Sequence, residues 1–121
     1  MGKTICITGA SSGFGSACAR RFAKDGHRLI LAARRTKRLK ELSEQIGDKV
    51  PIHILSLDIR DFHAVAEKLG NLPQDFSDVD ILINNAGLAL GLEPSHEVDV
   101  KDWEVMVDTN IKGLLYCTRT L

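Results

Sequence analysis

Thr8-Gly9-Ala10-Ser11-Ser12-Gly13-Phe14-Gly15 is the stretch that decides the fold. It follows a short run rich in β-branched residues, Thr4 to Thr8. It also opens a segment of helical spacing in which Phe14, Cys18 and Phe22 recur every four residues. Glycines at i, i+4 and i+6 between a first strand and a first helix have a specific physical reading. One permits a tight turn, the next lets a diphosphate approach the backbone, and the last lets helix and sheet pack closely. Free N–H groups at the helix start, backed by the helix dipole, then hold the anion. The bland alternative is an ordinary strand-ending turn, but the placement favours a phosphate-binding loop. The spacing is not the G-x-G-x-x-G of most dinucleotide folds.

Outward from this loop, two kinds of apolar stretch alternate. Thr4 to Thr8, Arg28 to Ala33, Ile52 to Leu57 and Asp80 to Asn84 are nearly continuous in apolar character, as in strands covered on both faces. Between them Leu39, Leu42 and Ile46 keep helical spacing, and Phe62, Val65, Ala66 and Leu69 give a full helical stripe with Asp61 as N-cap. A fourth helix is expected from near Lys101, with Trp103, Met106 and Val107 on one face and Trp103 as a core or subunit-interface anchor. Gly70 to Asp78 reads as a long surface loop. Strand and helix alternating from the start predict an α/β fold: a Rossmann-type doubly wound parallel sheet of about four strands and four helices. Leu121 falls inside the rhythm of the fourth helix with no stop signal, and the run Asp80 to Asn84 is too apolar for an open edge. Residues 1–121 are therefore expected to be the N-terminal half of a longer single domain.

Composition narrows the function classes. The 121 residues carry 16 Lys plus Arg against 16 Asp plus Glu, a formal net charge of zero, which argues against a general electrostatic grip on nucleic acid or an anionic membrane. No apolar run approaches a membrane span, and the N-terminus has no signal-peptide pattern. Cys6, Cys18 and Cys117 have no metal-ligand spacing, and neither do His27, His53 and His63, so no metal site is expected. The cysteines read as reduced core residues of a cytoplasmic protein. Glu93, Ser95, His96 and Glu97 lie in a polar loop and are not expected to be catalytic.

Four ordered features now coincide: the Thr-Gly-x-x-x-Gly-x-Gly loop, Asp58 after the third strand, Asn84-Asn85-Ala86-Gly87 at the end of the fourth, and Asn110 in the last helix. Together they resemble the short-chain dehydrogenase/reductase superfamily over all 121 residues. NNAGLALGLEP followed by DWEVMVDTN is similar to one subgroup, the NADP-dependent 3-hydroxy acid or serine dehydrogenases. The resemblance implies that Gly9, Ser11, Ser12, Gly13, Phe14 and Gly15 form the diphosphate and ribose cradle. It implies that Asp58 accepts a hydrogen bond from the adenine amino group, with Ile59 packed nearby; a loop cap is the other reading of Asp58. Asn84, Asn85, Ala86 and Gly87 would border the ribose, with Thr8 tying the first and fourth strands together. Asn110 shares a helical face with Trp103 and Val107. It is either a buried structural amide or, as in the family, the holder of a water that relays protons to a catalytic Lys. The family's Ser, Tyr and Lys would lie beyond Leu121, since Tyr116 is followed four residues later by Thr120.

Cofactor choice is legible at the second strand. An acid there binds the ribose hydroxyls of NAD and repels a 2′-phosphate. Here Ala33 stands in that place, followed by Arg34 and Arg35. Arg34 can pair with phosphate by a planar fork, which predicts NADP. Lys37, Arg38 and Lys40 read as a solvated helix face. The expected whole is an NADP-dependent oxidoreductase acting on a small secondary alcohol or its ketone, such as a short 3-hydroxy acid, and assembled as a homotetramer by family resemblance. The rival readings are a non-catalytic NADP-binding sensor and an extended epimerase-like relative, whose usual glycine spacing this loop does not follow.

Overall fold

A computed structural model of the chain describes residues 2–11, 13–88, 90 and 93–121. Four parallel strands, β1 (Thr4–Thr8), β2 (Arg28–Ala33), β3 (Ile52–Ser56) and β4 (Ile81–Ile83), form a sheet in the order β3-β2-β1-β4. Thr8 pairs with Ala32 on one side, and Ile7 pairs with Ile83 on the other. The chain steps outward from β1 to β3 and then returns to place β4 against the free edge of β1. That reversal between β1 and β4 is the switch point at which open α/β sheets bind ligands, beyond the carboxyl ends of the strands.

Alternate side chains build two cores. Ile5, Ile7, Leu29 and Leu31 pack against Ala19 and Ala23 of α1 (Gly13–Lys24) and Leu39, Leu42 and Ile46 of α2 (Thr36–Ile46). Cys6, Ile30 and Ala32 face Val65 and Leu69 of α3 (Phe62–Gly70) and Cys117 of α5 (Leu114–Thr120). All five residues of β1 are buried, as a central strand covered on both faces requires. The rings of Phe62 and Tyr116, 5.1 Å apart, tie α3 to α5.

Several expectations shift. The strands end earlier than the apolar runs: β3 at Ser56, and β4 within Ile81–Ile83. Asp80 instead accepts from the Thr4 N–H through its carboxylate (2.9 Å), and Asn84 turns its amide to α5. The buried stripe of α1 is Gly15, Ala19 and Ala23, one residue out of phase with Phe14, Cys18 and Phe22. Small residues win because they let the helix sit close to the sheet; Phe14 is left 86% exposed. The loop after α3 contains a 3₁₀ turn (Gln74–Phe76), and the Phe76 ring stacks on His53 at 5.4 Å. The expected fourth helix runs on without a break through α4 (Val100–Val107), a π-helical segment (Asp108–Gly113) and α5, with αR backbone at both junctions. No residue of α4 is buried, and Trp103, 45% exposed, is not part of the core.

Candidate functional site

The glycine loop, the ends of β2 and β3, the segment after β4 and the π segment enclose a cleft of about 420 Å³. That is the size of an ordinary small-ligand site. Each glycine of the loop has a separate cause. Gly9 has φ of +63°, and a Cβ there would stand 2.8 Å from Ala86 Cα, so the turn needs both the left-handed backbone and the missing side chain. A Cβ on Gly15 would stand 2.5 Å from the Gly9 carbonyl oxygen and 2.6 Å from the Asn85 amide nitrogen, which makes it the close-packing glycine. Around Gly13 the space is open, with no heavy atom within 4 Å of a built Cβ. A ligand can therefore approach its backbone.

Thr8 locks this loop to β4. Its buried hydroxyl accepts from the N–H groups of Asn85 (3.2 Å) and Ala86 (3.1 Å) and donates to the Ile83 carbonyl (3.4 Å). The Asn85 side chain donates to the Gly9 carbonyl at 2.9 Å. The expected link between the first and fourth strands is therefore present in atomic detail.

Of the residues singled out from sequence, Gly9, Ser11, Gly13, Phe14, Arg34, Asp58, Ile59, Asn85, Ala86 and Gly87 line the cleft together. Ser12 lies outside the described residues. Gly15 is behind the wall as packing, and Arg35 is exposed at the start of α2 without lining the cleft. Asn84 is turned away, donating to Thr118 Oγ1 of α5 at 3.1 Å, so its amide is satisfied by the protein and not by the cleft. Asn110 is not buried as its helical face predicted. It is exposed together with Trp103 and Val107, so it keeps their helical face, but that face is not covered. There its Nδ2 donates to the Leu88 carbonyl (2.8 Å) and its Oδ1 accepts from the Leu88 N–H (2.9 Å), clamping the strand exit.

Two polar lining residues escaped the sequence reading. Thr109 is 8% exposed, and among the described residues its hydroxyl has no hydrogen-bond partner. It shares a buried face with Gly113 and Cys117, spaced by four, and that spacing was the usable signal. Arg60 forms an ion pair with Asp58: Nε to Oδ1 3.1 Å and Nη2 to Oδ2 2.8 Å, while the Arg60 backbone N–H donates to Oδ1 at 3.0 Å. The spacing Asp-x-Arg was a usable signal for such a turn. These hydrogen bonds hold the Asp58 carboxyl below the ordinary carboxylate range, with the Arg34 charge adding to the effect.

The donor set fits a phosphorylated nucleotide. An open loop at a helix start suits a diphosphate, Arg34 suits a further phosphate, and Ile59, Ala86 and Leu57 offer apolar walls for a base.

Comparison with known proteins agrees with the cleft's construction. The sequence pattern of the short chain dehydrogenase family matches residues 3–121. The chain is 50% identical over 117 residues to the NADP-dependent 3-hydroxy acid dehydrogenase YdfG of Shigella flexneri, covering 97% of this chain and 46% of that protein. It is 51% identical over 121 residues to the serine 3-dehydrogenase of Rhizobium radiobacter, covering 100% and 48%. Among solved structures, the closed form of a serine dehydrogenase complexed with NADP+ superposes with a TM-score of 0.91 at 49% identity, over 98% of this chain and 47% of that one. The chain thus spans about half the length of the curated relatives it matches. The loop, the switch point and these likenesses together establish that the chain belongs to the short-chain dehydrogenase family, with the 3-hydroxy acid and serine dehydrogenases among its relatives.

Proposed function

We propose that this chain is the cofactor-binding half of an NADP-dependent oxidoreductase that acts on a small secondary alcohol or its ketone, a short 3-hydroxy acid such as serine. The observation that carries the cofactor is Arg34 at the end of β2, in the cleft, where Ala33 leaves no carboxylate to hold a ribose diol. The loop from Gly9 to Gly15 holds the diphosphate with backbone N–H groups. Asp58 accepts from the adenine amino group through its carboxylate, which Arg60 orients. When bound, NADP(H) supplies or receives the hydride.

Asn110 keeps Leu88, and with it the wall after β4, in place. The family's proton-transferring Tyr-x-x-x-Lys pair is not formed by Tyr116, which has Thr120 at that spacing and packs against Phe62. Proton transfer is therefore assigned to residues outside this stretch. The substrate class rests on the relatives' substrates. An exposed apolar stripe, Val100, Trp103, Val107, Ile111 and Leu115, supports self-association through this helix, in a homo-oligomer such as a tetramer. Among the described residues no helix is long and apolar enough to cross a membrane; a cytoplasmic setting is part of the proposal.

The test is a cofactor titration of the complete protein and of Ala33→Asp combined with Arg34→Ala. A bidentate charged contact is worth about 1.5–3 kcal/mol, so the double variant should lose at least about tenfold in NADP(H) affinity and gain in NAD(H). Equal wild-type affinity for NAD and NADP would refute the role of Arg34.

A further inference from the structure

Among the residues lining the cleft, Asp58 is the sole carboxylate, and it shares the wall with Arg34. A bare carboxylate there opposes the NADP reading in two ways. It competes for the Arg34 guanidinium, whose charge already reaches it, and it repels a 2′-phosphate. The fold answers with Arg60, which closes an Asx-type turn on Asp58 and lays its guanidinium along both carboxylate oxygens. The pair is about one-third exposed on each side, so its charges are only partly screened by water. Asp108 of the π segment also faces Arg60, but that carboxylate is itself paired with Lys112 at 3.2 Å.

We propose that Arg60 is a specificity-determining positioning residue: by pairing with Asp58 it cancels the cleft's one carboxylate, so that Arg34 is left for the 2′-phosphate of NADP(H). This inference rests on the cofactor reading given under Proposed function and adds a residue that no nucleotide atom need touch. Asp58 can then serve the adenine without excluding the phosphate. The cleft tolerates an acid beside an Arg because the acid arrives already neutralised.

The experiment measures NADPH and NADH affinities by calorimetric titration of the complete protein, with 2′,5′-ADP and 5′-AMP as fragments that isolate the 2′-phosphate. Arg60→Met removes charge and hydrogen bonds. Arg60→Gln removes the charge but keeps a donor for Asp58, which covers the case in which the Met variant does not fold. In both, the ratio of NADPH to NADH affinity should fall on the order of five- to tenfold, as expected for one uncovered charge near a dianion at ordinary salt. Arg60→Lys should hold the ratio within about twofold of wild type. Arg60→Gln combined with Asp58→Asn, which has the wild-type net charge, should restore it. A purely structural Arg60 would weaken both nucleotides alike. The inference is overturned by an unchanged ratio in both neutral variants, or by a fall that Asp58→Asn does not reverse. A wild type with no preference for NADPH would sink the Arg34 reading and this one together, and is recognisable as such before any variant is made.

Discussion

Thr8→Val isolates the contact on which the whole cleft is hung. Valine has nearly the shape of threonine, so the 1% exposed site stays filled and only the hydroxyl is lost. That hydroxyl is saturated: both acceptor positions are taken by Asn85 N–H and Ala86 N–H, and its own hydrogen points to the Ile83 carbonyl. Removing it orphans one backbone donor at the carboxyl end of β4, the Ala86 N–H, since the Asn85 N–H also donates to the Ile83 carbonyl at 3.0 Å. A fully buried orphan costs about 1–3 kcal/mol. The Ala86 N–H is half-buried and partly recoverable by water, so the loss should be about 1–2 kcal/mol. The assay is urea denaturation of the complete protein, read as a fall in midpoint at unchanged slope. Thr8→Ser, which keeps the oxygen, should recover most of the loss. NADPH affinity should fall with Thr8→Val as well, because Asn85 and Ala86 wall the cleft. A stability change under about 0.5 kcal/mol, the range of an ordinary surface substitution, would refute the claim that the hydroxyl fastens β1 to β4.

Gly15→Ala should destabilise the protein by about 1–3 kcal/mol through overpacking, because its Cβ would meet the Gly9 carbonyl and the Asn85 amide at 2.5 and 2.6 Å; an unchanged melting temperature would contradict the close approach. Under the proposed function, Asn110→Ala should lower turnover of the complete protein more than NADPH affinity; equal losses in both would leave only the clamp on Leu88. Burial pushes the Cys6 thiol up to about 12 and the Cys117 thiol up to about 11. Since the thiolate is the reactive form, both should resist alkylation at pH 8 in the native protein and react once it is unfolded in denaturant. Rapid native labelling of either, located by mass spectrometry, would show that the second core opens.

The legible and illegible parts of this chain divide along a physical line. The parallel order of elements, the covered strands and the glycine loop were readable because backbone geometry acts locally: a strand buried on both faces must be apolar throughout, and a tight approach admits only glycine. Asp61 as the N-cap of α3 was readable for the same reason, and its carboxylate accepts from Ala64 N–H at 3.1 Å. Arg34, Asp58, Asn85 and Ala86 were individually identifiable, though nothing in their spacing set them around one cleft. Register did that, by placing Thr8, Ala33, Ser56 and Ile83 at the same end of one sheet.

Where the sequence misled, a tertiary contact had overruled periodicity. Phe14 kept its helical phase on paper, but α1 turns its small residues to the sheet because Gly15 must touch Gly9 and Asn85. Asn84 and Asn85 are chemically identical neighbours; the turn at the exit of β4, in which the Asn85 N–H donates to the Ile83 carbonyl, sends one to Thr118 and the other to the glycine loop. Asn110 was placed on the face of Trp103 and Val107 by counting 3.6 residues per turn, and it shares their face, but that face is exposed and not buried. The sequence by itself determined which elements form and what kind of loop begins the first helix, because those depend on each residue's own conformational limits. Only the tertiary structure decided which way Asn84 turns, that the face of Thr109 is covered while that of Asn110 is not, and that Arg60 covers Asp58, because those outcomes depend on atoms brought together from separate elements.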